Sequence, residues 1–271
     1  MRKHLALILT AALAVISCGK KEAPKALVIY YSQLNSTKTV AEAFAAKLGA
    51  PLVAIEPVVP YEEDFGATAQ RGQEELRSGH LPEIKPLDIN LAEYDVIFLG
   101  FPIWFGTYAP PVKSFLATAD LKGKKIVPFC TFGSGGLDSS SRDLAEELPE
   151  SQILPGYGVR AARLDAVDEE VDYFLKSNGY VKGKFTPLPE FSAQAPVTGE
   201  ETVIFHDAVD SYGNGMIRAE PTMAASRAIP GGREFLFSAR SIVPEGQPAG
   251  TIQVYVKVPD GGEPVFTEVL R

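Results

Sequence analysis

Cysteine is nearly absent from this sequence: there are two, Cys18 and Cys130, in 271 residues. Two thiols exclude a disulfide scaffold and a multi-cysteine zinc site. Histidine is equally sparse, and His4, His80 and His206 are scattered, which argues against a histidine-rich metal centre. An excess of positive charge is also missing. The chain carries 26 bases against 34 acids, a formal net charge of −8, whereas a protein that grips nucleic acid by neutralising phosphates is expected to be basic. There is no glycine period of the collagen kind, and 45% hydrophobic residues are too many for a disordered chain. The length allows one large domain or two ordinary ones.

The N-terminus reads as a targeting segment. Met1–His4 is basic, Leu5–Ile16 is a 12-residue apolar run, and Ser17-Cys18 follows. A run of that length falls short of the ~20 residues that span a bilayer as a helix, so a signal peptide fits better than a retained anchor. Val15-Ile16-Ser17-Cys18 resembles a bacterial lipobox, and a polar stretch from Gly19 to Pro24 follows it. That resemblance implies cleavage before Cys18 and acylation of its thiol and new amine. The expected product is an extracytoplasmic lipoprotein held at the membrane by several acyl chains alone, which anchor stably where a single chain does not. Losing residues 1–17 removes Arg2 and Lys3 and no acid, leaving 24 bases against 34 acids, a net of −10. Cys130 is then the only free thiol.

From Ala26 onward, short apolar runs alternate with helical periodicity. Ala26–Tyr31, Pro51–Glu56, Asp95–Gly100, Lys125–Cys130 and the weaker Gln152–Leu154 read as strands. Helices are expected after the first strand (Val40, Ala43, Phe44 and Leu48 at helical spacing), near Ala67–Arg77, and over Pro110–Ala119, Ser139–Leu148 and Asp165–Lys176. This order predicts a doubly wound parallel sheet of five strands, covered on both faces. Ligands of such sheets lie beyond the carboxyl ends of the strands at the topological switch point.

Three loops at those ends share one chemistry. Ser32-Gln33-Leu34-Asn35-Ser36-Thr37 supplies hydroxyls, amides and a helix start, which suit a phosphate monoester. No lysine-bearing phosphate loop is present, so a nucleoside triphosphate is not indicated. Phe101–Tyr108 contains Pro102, Ile103, the chain's only tryptophan (Trp104), Phe105 and Gly106, and offers a stacking surface for a flat ring. Thr131-Phe132-Gly133-Ser134-Gly135-Gly136 lets backbone amides come close to a ligand. Taken together the three loops describe a site for a flat, phosphorylated heterocycle. No catalytic side chain and no metal ligand stands out.

Segments 26–38, 100–112 and 129–136 resemble the phosphate loop and the two ring-contacting loops of the flavodoxin family, in the family's order. The resemblance spans about residues 25–178. It implies non-covalent FMN, with Ser32, Asn35, Ser36 and Thr37 at the phosphate, Trp104 and its neighbours against the isoalloxazine, and Thr131–Gly136 at its polar edge. Two positions depart from the usual pattern: Leu34 stands where a hydroxyl residue is usual, and Asn35 where glycine is usual. Asparagine adopts the left-handed conformation more readily than most residues, while the missing hydroxyl is expected to cost about 1–2 kcal/mol of binding. The irregular stretch 57–92, with Tyr61, Glu62, Glu63, Asp64 and Arg71, is expected to cover the flavin or a substrate.

Beyond Gly179 the texture changes. Residues 179–200 read as a linker with Pro187, Pro189 and Pro196. Residues 201–271 read as a small all-β domain, a partly open barrel or a sandwich, with strands near Thr202–His206, Gly215–Ala219, Glu234–Ser241, Thr251–Val258 and Pro264–Leu270. The one helix considered there is Thr222–Ala228. His206, Asp207 and Asp210 read as a surface turn rather than a metal site. Both lobes are acidic: residues 25–180 carry 14 bases and 22 acids, and residues 181–271 carry 8 and 11. The parts are therefore a leader (1–17), a lipidated tether (18–25), a flavodoxin-like domain (26–178), a linker and a β domain. The expected activity is electron transfer through FMN, as a carrier docking redox proteins or as a reductase of a small acceptor such as a quinone. The alternative is a flavodoxin-fold binding or scaffold lipoprotein that has lost FMN.

Overall fold

A computed structural model describes residues 24–213, 217–243 and 249–270; the expected leader and Cys18 lie outside them. The first lobe runs β1 (Ala26–Tyr30), α1 (Ser36–Leu48), β2 (Leu52–Ala54), α2 (Phe65–Ser78), β3 (Val96–Trp104), β4 (Thr107–Tyr108), α3 (Pro110–Thr118), β5 (Lys125–Phe132), α4 (Leu137–Glu147), β6 (Gln152–Ile153), β7 (Tyr157–Arg160) and α5 (Val167–Ser177). Its sheet has the order β2-β1-β3-β5, with β6 and β7 both beside β5. All pairs are parallel except β3–β4. The strand expected at Gln152–Leu154 is β6, and β7 is a further short strand beside β5 that the sequence does not announce. β6 pairs Lys125 and Ile126, and β7 pairs Phe129–Phe132, with Pro155-Gly156 between them. A Cβ on Gly156 would lie 2.5 Å from the Pro128 carbonyl oxygen, so only glycine lets the chain pass there.

The period of two in each strand sends alternate residues to opposite faces. Leu27, Ile29, Ile97, Leu99 and Ile126 pack with Val112, Phe115, Leu116 and Leu144 from α3 and α4. Val28, Phe98, Val127 and Phe129 pack with Val40 and Phe44 of α1 and Val171 and Leu175 of α5. Phe44 is fully buried, with its ring 4.8 Å from that of Phe129, a burial that contributes about 1.5–3 kcal/mol. Gly100 makes room for this packing: a Cβ there would lie 2.2 Å from the Phe129 ring. The chain steps from β1 outward to β2 and then back across to β3. The switch point, and the crevice it opens, therefore lies beyond the carboxyl ends of β1 and β3.

The second lobe comprises β8 (Ala195–Pro196), α6 (Gly199–Tyr212), β9 (Ala219–Ile229), β10 (Gly232–Ser241), β11 (Thr251–Pro259) and β12 (Val265–Leu270). Its strands form one antiparallel sheet in the order β12-β11-β10-β9-β8. The sheet is open and carries a helix, so neither a barrel nor a sandwich forms. Phe205, Ala208 and Val209 of α6 bury one face against Phe235, Phe237, Val254, Val256 and Phe266. Two local expectations are overturned. Thr202–His206 is helical because Thr198 and Glu201 form a reciprocal capping box and Phe205, Ala208, Val209 and Tyr212 share one helical face. Thr222–Ala228 is extended because β9 is paired on both sides, and that tertiary pairing outweighs the helical preference of its alanines. Pro221 is tolerated within β9 beside a register shift opposite Ser238/Ala239.

Candidate functional site

At the switch point a cavity of about 370 Å3 opens between the ends of β1, β3 and β5. The first loop forms one wall. The Tyr31 amide donates to the Gly100 carbonyl (2.9 Å), so the chain follows β3 one residue beyond β1 before turning. The Tyr31 hydroxyl donates to Gln33 Oε1 (2.8 Å), and Gln33 Nε2 donates to the Glu62 carbonyl (3.1 Å). Asn35 is left-handed, with φ 64°, and α1 starts directly after it with no side-chain cap. The first amides of α1 are therefore left for an outside acceptor, at the positive end of the helix dipole. Ser32 Oγ is buried with no hydrogen-bond partner, although its residue lines the cavity. An orphaned hydroxyl beside an uncapped helix start fits an anionic oxygen.

The stretch expected as an aromatic loop is a β-hairpin. β3 continues through Pro102, Ile103 and Trp104, turns at Phe105-Gly106 and returns as β4. Both turn residues have positive φ, 53° and 85°, the backbone of the tight turn whose twist matches two paired strands. Trp104 is half-buried and lines the cavity. Its ring meets Tyr31 and Tyr61 edge-on, at 6.0 and 5.1 Å between centroids. α2 comes close behind it, since a Cβ on Gly72 would lie 3.0 Å from the indole.

The residues just before α2 and its first turn form the opposite wall. Glu62, Glu63, Phe65, Thr68 and Ala69 line the cavity. Asp64 caps α2 by accepting from the Ala67 amide (2.8 Å), and Thr68 Oγ1 donates to the Glu62 carbonyl (2.7 Å). Arg71 pins the approach: it donates to Glu75 Oε1 (2.9 Å) and to the carbonyls of Pro60 and Val59, and lies 4.1 Å from the Tyr61 ring centroid. Phe65 is a cavity residue that the sequence pattern does not point to. Its signal is faint, one aromatic following an Asp cap, yet it stands at the mouth 84% exposed.

The remaining residues fall into two groups. Thr131, Phe132 and Gly133 line the first cavity together with Ser32–Leu34, Ser36, Thr37 and Pro102–Phe105. Gly106, Ser134, Gly135 and Gly136 line a neighbouring cleft of about 550 Å3, which shares Ile103, Phe105 and Gly133 with the first. Asn35 lines neither and acts through its backbone, its carbonyl accepting from the Thr39 amide (2.9 Å). Burial raises the Tyr31 and Tyr61 hydroxyls well above the ordinary tyrosine range, so both are neutral donors. Burial also pushes the Cys130 thiol far up, which leaves it an inert part of the core. Among the described residues, Glu62 and Glu63 are the only acids on the cavity wall and no base lines it. An aromatic wall beside an uncapped helix start can accommodate a flat molecule with an anionic tail.

The sequence profile of the family described as flavodoxin matches residues 25–172. No curated protein matches the chain. Among solved structures, a candidate flavoprotein from Bacteroides eggerthii is 28% identical, with a TM-score of 0.51, over 57% of this chain and 97% of its own. A second, from Bacteroides uniformis, is 27% identical, with a TM-score of 0.50, over 56% of this chain and 99% of its own. Both are nearly exhausted by little more than half of this chain, so the rest of it is additional to them.

Proposed function

From the premise that this chain belongs to the flavodoxin family, we propose that it is an FMN-dependent electron-transfer protein, tethered through Cys18 to a membrane outside the cytoplasm. The observation that carries this reading is the pairing of the orphaned Ser32 hydroxyl and uncapped α1 with the Trp104 wall of the same cavity. Ser32, Ser36 and the first amides of α1 would hold the phosphate. Trp104, Phe105 and Phe65 would bound the ring, and Gly133 and its neighbours would meet the ring's polar edge. When bound, the flavin supplies the one- and two-electron chemistry, and the protein supplies position and electrostatics. Thr37 keeps the phosphate and ring loops in register through Thr131. Leu34, Phe65 and Phe105 are 71, 84 and 54% exposed at the rim, an apolar border suited to brief contact with a redox protein or a small planar acceptor such as a quinone.

The test is direct. The purified protein is titrated with FMN and its visible spectrum recorded. A band near 450 nm, on the order expected of a bound flavin, that stays with the protein on desalting supports the reading. A protein that remains colourless sinks it and favours a binding or scaffold role. Turnover of a quinone with an artificial electron donor then separates a reductase from a carrier. Cys18→Ala is expected to move the protein from the membrane to the soluble fraction.

A further inference from the structure

The second lobe touches the first at the loop that would meet the flavin's polar edge. Arg160, at the end of β7, is buried. Its Nε donates to the Gly133 carbonyl (3.1 Å) and its Nη1 to the Phe266 carbonyl in β12 (2.7 Å). The guanidinium lies 4.6 Å from the Tyr212 ring centroid and 4.9 Å from that of Phe266. Among the described residues it has no carboxylate partner within ion-pair distance. A buried cation is costly unless its donors are satisfied, and here its polar partners are one carbonyl from each of the two pieces it joins. One residue further along the loop, the Val269 amide of β12 donates to the Ser134 carbonyl (2.7 Å). Gly135 is held against the same strand: a Cβ there would lie 2.6 Å from the Val269 carbonyl oxygen. A Cβ on Gly133 would lie 3.4 Å from the Tyr212 hydroxyl of α6.

These contacts fix the direction of two peptide planes. In a trans peptide the carbonyl of one residue and the N–H of the next point oppositely. With the Gly133 carbonyl turned to Arg160 and the Ser134 carbonyl turned to β12, the Ser134 amide points away from Arg160 and the Gly135 amide away from β12. Neither has an acceptor among the described residues.

We infer that the C-terminal lobe is a working part of the cofactor site: it sets the loop Gly133–Gly136 so that the Ser134 and Gly135 amides are presented to an electron-rich ring edge, with Arg160 as the positioning residue. This rests on the flavin reading of the first cavity and on the ring reaching the adjoining cleft, whose wall holds Ser134 and Gly135. The role differs from mere attachment. Lys257 and Glu170 also join the lobes (2.5 Å) without touching the loop.

The test uses the full chain with Arg160→Gln, Arg160→Lys and Val269→Pro. Val269 offers its amide to Ser134, so proline removes that donor. Lys257→Gln serves as the control at the same interface. Hydrogen exchange of the segment 131–137 reads the loop without flavin. It is expected to speed up in Arg160→Gln and Val269→Pro, to change less in Arg160→Lys, and to stay as in the parent in Lys257→Gln. With FMN, the dissociation constant is expected to rise about tenfold in Arg160→Gln and Val269→Pro, with a shifted midpoint potential of the bound flavin. Unchanged loop exchange in both folded variants overturns the inference. So does a Lys257→Gln protein that behaves like them, because the effect would then be general loosening. A variant that fails to fold leaves the other two to decide. A parent protein that binds no flavin overturns the flavin reading and with it the purpose assigned here, even if the exchange pattern holds.

Discussion

The Thr37 and Thr131 hydroxyls lie 2.8 Å apart in the buried interior, joining the first turn of α1 to the end of β5. One bond thus ties the expected phosphate loop to the expected ring loop across 94 residues of sequence. Thr131→Val is expected to cost about 1–3 kcal/mol, because it leaves the Thr37 hydroxyl buried and unpaired. The double replacement with Thr37→Val is expected to cost less than the sum of the two singles. Urea denaturation of the four proteins measures this, and strict additivity would refute the pairing.

Trp104 is the sole tryptophan, so its emission reports on the cavity alone. FMN added to the protein is expected to quench it. Trp104→Ala is expected to weaken FMN by about three- to tenfold or more, the worth of one aromatic contact beyond the area it buries. An unchanged dissociation constant would remove Trp104 from the ring wall.

Phe105 occupies a left-handed backbone position, φ 53°, at the tip of the β3–β4 turn. A bulky side chain pays about 1–2 kcal/mol for that conformation, which asparagine tolerates far better. Phe105→Asn is therefore expected to raise the melting temperature while weakening the binding of FMN. A protein that becomes more stable with an unchanged dissociation constant would show that the ring does nothing at the site.

Glu268 gives a pH dependence of unusual sign. Burial, and then the Asp138 carboxylate, push it from its ordinary 4.5 up to about 7. The folded protein therefore holds this proton more tightly than the unfolded chain does. The stability it contributes is full below the unfolded value and is lost as pH rises through about 7. Glu268→Gln is expected to abolish that loss, narrowing the difference in melting temperature between about pH 5 and about pH 8. Glu170 works in the opposite sense. Burial pushes it up, but Lys257 and Arg163 outweigh this and hold it below its ordinary value, so its contribution is lost on the acid side. A pH profile that Glu268→Gln leaves unaltered would count against this account of the site.

The first lobe was legible because its strands are buried on both faces and read as unbroken apolar runs such as Ala26–Tyr30 and Val96–Gly100. β7 was not. Tyr157-Gly158-Val159-Arg160 is short and follows a Pro-Gly break, and only its pairing to β5 makes it a strand. The second lobe misled locally because Val203-Ile204-Phe205 has strand composition and Met223-Ala224-Ala225 has helix composition, while capping and cross-strand pairing decided otherwise. Of the cavity lining, the Ser32–Thr37 loop and Trp104 can be read from residue types at strand ends. Phe65 and Arg160 could not: one reaches the cavity only through the packing of α2, the other only through a lobe whose docking leaves no periodic trace in the sequence.

The bond from Val269 to Ser134 also bears on how the chain avoids sticking to its own kind. β12 is the outer strand of the second sheet, and outer strands with free amides recruit other chains. Here Ser134, in the loop after β5, occupies one of those amides, while the opposite border, β8, is only two residues long and ends in Pro196. The sheet is thus blunted at one border by its own brevity and at the other by the neighbouring lobe. A chain whose first lobe has not yet folded leaves β12 open to intermolecular pairing, so self-association during synthesis or refolding is guarded by the same contact that orders the loop.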